Sequence, residues 1–415
     1  MQPEEGTARG RLPRNVWAVT LTSFLTDISS EMLANLLPLF LFGVLGVRTA
    51  VIGLIEGVAE TTASLLKVFS GWLSDRVGVR KRLALLGYAL STVSKPFLYI
   101  ASNWGWVLGV RFFDRVGKGV RTAPRDALLA DSVGEGRRGL AFGLHRAGDT
   151  AGAVLGLIVT LVVLRFAQQG SISLTQDSFR LIVLLSLIPA ALAVLVLAVG
   201  AREVPPSRES SRLPTLRLVD FDRRYLQFLL IIVLFTLGNS SDAFLILRAQ
   251  TAGLSIFGIL GMMLTFNVVY SLVSTPAGAL SDRIGRRRLL IIGWLVYALV
   301  YLGFARASAG WHAWLLMTVY GLYYALTEGV AKALIADLVP SDQRARAYGI
   351  FSAAVGLAAF PASLAAGLLW QGAGNWGGLG PSAPFLFGCV LAITAALLLA
   401  LSAVGRAGHE TDKEV

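Results

Sequence analysis

The residues of this chain that could do chemistry are ionisable side chains set among apolar ones. Arg111, Asp114, Arg115, Lys118, Arg121, Arg125 and Asp126 fall within one stretch. On a helix turning about 100° per residue they occupy an arc of about 140°, with Phe112, Phe113, Val116 and Val120 off it. A charge at the centre of a bilayer costs at least ~2.5–3.5 kcal/mol, so the stripe must face a wet cavity or other helices. Acids lie nearby in sequence. Asp27 and Glu31 are one helical turn apart, and Glu56, Glu60 and Lys67 lie within about 40° of one another. His145, Arg146 and Asp149 share a further stretch, and Lys95 stands in another. The near balance of acids and bases predicts a salt-bridge network rather than a bare basic pore. The second half of the chain is poorer in charge: Asn239 and Asp242, Asn267 and Tyr270, then Tyr320, Tyr323, Tyr324, Glu328 and Lys332. Glu328 and Lys332 have the i,i+4 spacing of a helical ion pair. One half reads as ionic, the other as aromatic and polar.

The elements that must position these groups follow from composition. The chain has 415 residues, 55% hydrophobic and 15% charged, with a mean hydropathy of +0.67. A soluble protein of this size carries about 25% charged residues. Disorder is excluded by the apolar content, and a disulfide scaffold by the single cysteine, Cys389. Apolar stretches long enough to span a bilayer are expected at 15–45, 50–73, 83–101, 105–132, 139–166, 178–200, 223–248, 254–280, 288–306, 312–338, 344–371 and 382–405. They are continuous rather than alternating, which excludes a β-barrel. With both termini inside, most of the 37 Lys and Arg residues fall in internal segments, and only Arg48, Arg165, Arg180, Arg248 and Arg306 fall outside. The net charge of +12 is therefore read as topological, not as a nucleic-acid footprint. The first stretch lacks a small-residue cleavage site and reads as a retained span. The expected organisation is an N-tail at 1–14, a six-helix unit at 15–200, a polar Pro/Ser-rich linker at 201–222, a second six-helix unit at 223–405 and a C-tail at 406–415.

The two halves repeat. Gly71, Asp75, Arg76 and Gly78 recur as Gly278, Asp282, Arg283 and Gly285, an offset of 207 residues. Ala127 to Asp131 recurs as Ala333 to Asp337 at an offset of 206. A duplicated six-helix unit explains both. With Arg80 and Arg286 following them, these paired segments resemble the Gly-x-x-x-Asp-Arg-x-Gly signature of the major facilitator superfamily. Val79 stands where the first copy is usually basic. A second signature, Arg-x-x-Gln-Gly-x-Gly, is matched in part by Arg111 and Gly117, with Asp114 and Arg115 in place of Gln and Gly. A third is echoed by Gly148, Gly152 and Gly156, with Leu157 where proline is expected. The resemblance implies an all-α polytopic fold of twelve transmembrane helices in two pseudo-symmetric bundles that rock about a central site. It also implies a monomer, and a cluster around Asp75 and Asp282 that latches the inner side and breaks as that side opens. In proton-coupled exporters of the family, the arginine matched by Arg111 tunes a nearby carboxylate.

The functional expectation is a secondary active transporter of a small solute in a bacterial inner (plasma) membrane, with both termini cytoplasmic and no enzymatic activity. Coupling to protons or another ion is assigned to Asp27, Glu31 and Asp149, with Glu56 and Glu60 as further candidates. Asp27 and Glu31 could instead be static partners of Arg111 or Arg146. Lys118, Arg121 and Arg125 are expected near the inner face, His145 as a polar packing residue. The basic stripe favours an anionic or zwitterionic solute. Proton-driven export of amphipathic compounds is the alternative, followed by a metal-ion pathway or passive channel. No phosphate-binding loop, nucleophile motif or His/Cys cluster is present, so neither a cofactor nor a resident metal is expected. The partners are a small molecule, the coupling ion and the lipid bilayer.

Overall fold

The computed structural model describes residues 12–134, 137–167, 173–204, 221–340 and 343–405. The expected C-tail, nearly all of the N-tail and residues 205–220 of the linker lie outside them. The described residues form twelve rods and no strand. In chain order they are α1 (Arg14–Val44), α2 (Thr49–Val77), α3 (Arg80–Ser94), α4 (Trp104–Asp131), α5 (Arg138–Ala167) and α6 (Gln176–Gly200). After the linker come α7 (Arg223–Thr251), α8 (Ile256–Ile284), α9 (Arg286–Arg306), α10 (Gly310–Leu338), α11 (Arg344–Gln371) and α12 (Ala383–Leu401). Nine of them are long and apolar enough to cross a membrane by length and composition. The expected twelve is thus met in rods but not in spans by that measure. The shortfall has local causes. The regular part of α3 is short and passes into a tighter turn at Lys95–Leu98. The charge stripe lowers the hydropathy of α4, and Trp, Tyr and His lower that of α10.

Side chains close several helix starts: Asn103, Thr175 and Ser255 each accept the amide three residues on. Two rods are broken. α1 is interrupted at Asn35–Leu36 before Pro38 and then widens into a π-type turn at Phe40–Val44. α7 stops at Gly238 and restarts at Ala243. A loss of backbone pairing at membrane depth is tolerated only where protein or a wet cavity takes up the freed groups.

In the first half, α1 packs on α5 and α6, and α4 packs on α2 and α3. In the second, α10 packs on α8 and α9, and α12 on α7 and α9. The main contact between halves is α2 against α11. Small residues let these backbones meet: Thr49 Oγ1 donates to Gly367 O at 2.9 Å, and Thr61 Oγ1 to Gly356 O at 2.6 Å. This seam lies at the end of the molecule away from the linker. Toward the linker, the halves part around a cavity of about 510 Å³ lined by α5, α8, α9 and α10. Apolar side chains such as Leu86, Val199, Leu299 and Leu401 stay exposed on the outer surface, as a lipid-facing exterior requires.

Candidate functional site

A central cavity of about 460 Å³ lies between the halves. The first half contributes Glu31 and Asn35 from α1, Glu56, Glu60 and Ser64 from α2, and Arg111 and Arg115 from α4. The second contributes Asn239 to Asp242 from the break in α7, Phe266 and Asn267 from α8, Tyr324 from α10 and Ser363 from α11. The break in α7 is thus spent on the cavity wall.

The first-half wall is a set of ion pairs. Arg111 Nη2 donates to both Glu56 oxygens, at 2.8 and 2.9 Å, and both residues are buried. One turn on, Arg115 Nη1 lies 3.5 Å from Glu60 Oε1. The stripe on α4 faces inward, as its phase predicts, while Phe112 and Phe113 are exposed on the outer face. The partner of Arg111 is Glu56, however, not Asp27 or Glu31. Glu31 accepts instead from Asn35 Nδ2 at 2.9 Å and makes no ion pair among the described residues. Asp27 lies behind, in a smaller pocket of about 140 Å³ with Glu31, Lys95, Asp114, Lys118 and Arg121. Lys95 is buried there and donates to Ser29 Oγ at 2.5 Å. Arg121 donates to Ser91 Oγ at 2.7 Å and stacks on the Tyr88 ring, and Arg125 binds Asp126 and Ser23. Lys118 and Arg121 therefore belong to this pocket rather than to the inner surface, and Arg125 bonds inside its own bundle.

The second-half wall is mostly polar and small side chains, backed by phenols. Asp242 accepts from Tyr320 OH at 2.9 Å and Tyr324 OH at 3.4 Å. Asn239 Nδ2 donates to Tyr323 OH at 3.4 Å. Behind them Tyr297, Tyr301, Tyr320 and Tyr323 pack with Phe235 and Trp294. Asn35, Ser241 and Ser363 were not read as site residues. The one sequence signal for Ser241 was the polar run 238–242 inside an apolar stretch.

Two other groups sit apart from this cavity. Arg146 donates to Tyr270 OH at 2.5 Å and lies 3.8 Å from Glu328. Tyr270 OH donates to Glu328, which also pairs with Lys332 at 3.6 Å. This cluster joins the halves in the linker-side cavity. Asp149 lies 3.6 Å from His145 Nε2 on α5 and lines none of the three cavities described above.

The repeated motif forms two matching staples. In the first, Arg80 binds Asp75 at 3.3 Å, pairs with Asp131 and donates to Ala127 O at 3.0 Å. In the second, Arg286 lies 3.5 Å from Asp282 and 2.5 Å from Asp337, and donates to Ala333 O at 2.6 Å. Gly78 and Gly285, at φ 70° and 93°, end the preceding helices with the sharp turn that returns the arginine to the aspartate. Gly71 packs against Ala123, and Arg76 lies over the Trp72 ring. Gly278 has open space beside it, and Arg283 is exposed. Asp75 thus bonds to an arginine of its own half, and the same holds for Asp282.

A helical membrane protein with two repeated halves and a polar cavity between them has the architecture of a solute transporter. The comparisons agree: the Major Facilitator Superfamily profile matches residues 19–266 and 227–414, and the chain belongs to that family. It is a membrane transporter, not an enzyme. It is 37% identical to an uncharacterized MFS-type transporter of Methanocaldococcus jannaschii, over 94% of each chain. It is 24% identical to the multi-drug resistance efflux pump PmrA of Streptococcus pneumoniae, over 79% of this chain and 82% of that one. Its fold matches the crystal structure of a D-xylose–proton symporter with a TM-score of 0.72 at 19% identity, over 93% of this chain and 96% of the other.

Proposed function

We propose that this chain is a monomeric, proton-coupled secondary active transporter of a small zwitterionic solute. It works by alternating access in a plasma membrane, with both termini cytoplasmic. The observation that carries this reading is the charge state of the central cavity. Arg111 and Arg115 are paired with Glu56 and Glu60, whereas Glu31 and Asp242 face the same space without a cationic partner among the described residues. Carboxylates without a fixed counter-ion at membrane depth are the groups that can exchange a proton or meet a charged solute. Asp27, behind Glu31, extends the acidic path into the first half.

The seam of α2 against α11 on one side and the parted linker side correspond to an inward-open state. Confinement of each Arg–Asp staple to its own half fits a latch that is unfastened in that state. Conversion requires the seam to open and the linker-side cavity to close. Sealed vesicles with an imposed pH gradient test the reading. Gradient-driven accumulation should be lost in Glu31→Gln and Asp27→Asn while solute exchange persists. Normal uphill flux in both variants would sink the coupling assignment.

Export of amphipathic compounds is a second reading, supported by Phe266 and Tyr324 in the second-half wall and by similarity to a protein named as a multidrug pump. Export requires accumulation on the side opposite to uptake in the same vesicles, with lipophilic rather than zwitterionic solutes competing.

A further inference from the structure

Asp242 stands at the start of the second segment of α7, where an aspartate ordinarily caps the helix by accepting a backbone amide. Its carboxylate accepts none. The Ser241 hydroxyl takes the Ala243 amide instead, at 3.3 Å, which leaves the Asp242 carboxylate to the tyrosines and the cavity. Both its oxygens are held by phenols, from Tyr320 and Tyr324. These hydrogen bonds fix its position and bring no positive charge to it. No lysine or arginine lies within ion-pairing distance of it among the described residues; the basic groups of the cavity are already engaged by Glu56 and Glu60. Two aromatic side chains share its cavity. Phe266 and Tyr324 line the cavity with ring centroids 5.4 Å apart and nearly perpendicular, and Tyr320 lies 5.2 Å from Tyr324.

A half-buried carboxylate held by two phenols, with Phe266 and Tyr324 lining the same cavity, is an arrangement that can receive an organic ammonium, by charge and by cation–π attraction together. A bare metal ion fits less well. Hard cations need a close shell of six or more oxygens, whereas the oxygens that bond the Asp242 carboxylate are those of two phenols, and it opens on a space of about 460 Å³.

We infer that Asp242, with Tyr324 and Phe266, forms an ammonium subsite of the central cavity, so that the transported solute carries an amine. The inference deepens the proposed function by giving the positive end of the zwitterion a place. It rests on the reading of that cavity as the solute site.

The test is equilibrium binding by thermal shift on the purified full chain, with no gradient present, so that it does not depend on proton coupling. Tetramethylammonium and methylammonium chloride serve as probes, tert-butanol as the neutral isostere, and potassium chloride holds ionic strength constant. Both amines should raise Tm, and tert-butanol should not. Loss of a charge-assisted contact should weaken amine binding about tenfold or more in Asp242→Asn. The exposed-site control Arg306→Gln should bind as the parent does. Phe266→Leu keeps the carboxylate and should weaken tetramethylammonium several-fold, which keeps the test decisive if Asp242→Asn does not yield folded protein. Equal amine binding in Asp242→Asn and the parent overturns the subsite. So does equal stabilisation by tert-butanol, or a response to sodium over potassium that vanishes in Asp242→Asn, which would mark a metal-ion site. Amine binding lost from Asp242→Asn with proton-driven flux absent in the parent rejects the transport reading alone. Absence of amine binding beside intact proton-driven flux rejects this subsite alone.

Discussion

The two walls of the central cavity handle their acidic side chains in opposite ways. On the first-half side, Arg111 and Arg115 meet Glu56 and Glu60 from the neighbouring helix, and each pair neutralises itself. On the second-half side, Asp242 is held by phenols and has no cationic partner among the described residues. A pair in a low-dielectric interior is expensive to break but offers little to a third party. A carboxylate positioned by neutral donors is pre-organised to receive a counter-ion or a proton. On the proposed reading the first wall supplies rigidity and the second recognition, with Glu31 as the acid of the first wall that has no ion pair among the described residues.

The sharpest way to break this contrast is to break a pair. Arg111→Met strands Glu56 in a buried site and should cost ~3–5 kcal/mol of stability. The double variant Arg111→Met/Glu56→Leu should recover most of that loss. Thermal unfolding in detergent measures both, and a double variant no better than the single would show that Arg111 does more than balance Glu56. Next in size is the seam that closes one end of the cavity. A Cβ at position 57 would stand 2.9 Å from Phe360 O, so Gly57→Val should hold α2 off α11. Vesicle flux should fall at least about tenfold, the expected scale when an element that must close is displaced by about 1 Å. Parental flux in that variant would show that the seam does not have to close.

The two staples extend the comparison beyond the cavity. The side chains of Arg80 and Asp131 are each 7% exposed, whereas those of Arg286 and Asp337 are 27% and 53% exposed. Arg80→Gln should therefore cost ~3 kcal/mol as a buried pair, and Arg286→Gln only about 0–1 kcal/mol as a surface one. Equal losses in unfolding would show that the repeat is energetically symmetric after all. The smallest effect is expected at the phenols. Tyr320→Phe removes one hydrogen bond to Asp242, and such bonds within a membrane protein average ~0.6 kcal/mol. A loss of several kcal/mol there would mean that Asp242 depends on that phenol for its position as strongly as Glu56 depends on Arg111.

Much of the fold was legible from the residues alone, because its causes are local. Hydropathy marks the rods, the duplicated Gly71–Gly78 and Gly278–Gly285 segments mark the halves, and the phase of the stripe on α4 marks its inward face. The exceptions were equally local in origin: charge in α4, aromatics in α10 and the short regular part of α3 carry them below the threshold for a span. The partnerships inside the cavity were not legible. Helical phase put Glu56 and Glu60 on one face and Arg111 and Arg115 on another, but Asp27 and Glu31 offered equally suitable carboxylates. Which acid meets which base depends on the rotation and depth of packed helices separated by dozens of residues. The same holds for Lys118 and Arg121, whose charge suggested the inner surface and whose neighbours in space are Lys95 and Asp27.

What the chain's residues determined by themselves is the class of molecule: apolar length, duplicated motifs and inward-phased charge leave little room for anything but a two-bundle helical carrier. The tertiary structure alone decided the pairing within the cavity. It brought the interrupted segment of α7 against the tyrosines of α10, about 80 residues away in sequence, and left Asp242 without an ion pair among the described residues while Glu56 and Glu60 were paired. The physical reason is that patterning acts along one helix, whereas the state of a buried charge is set by whatever other helices place within a few ångströms of it.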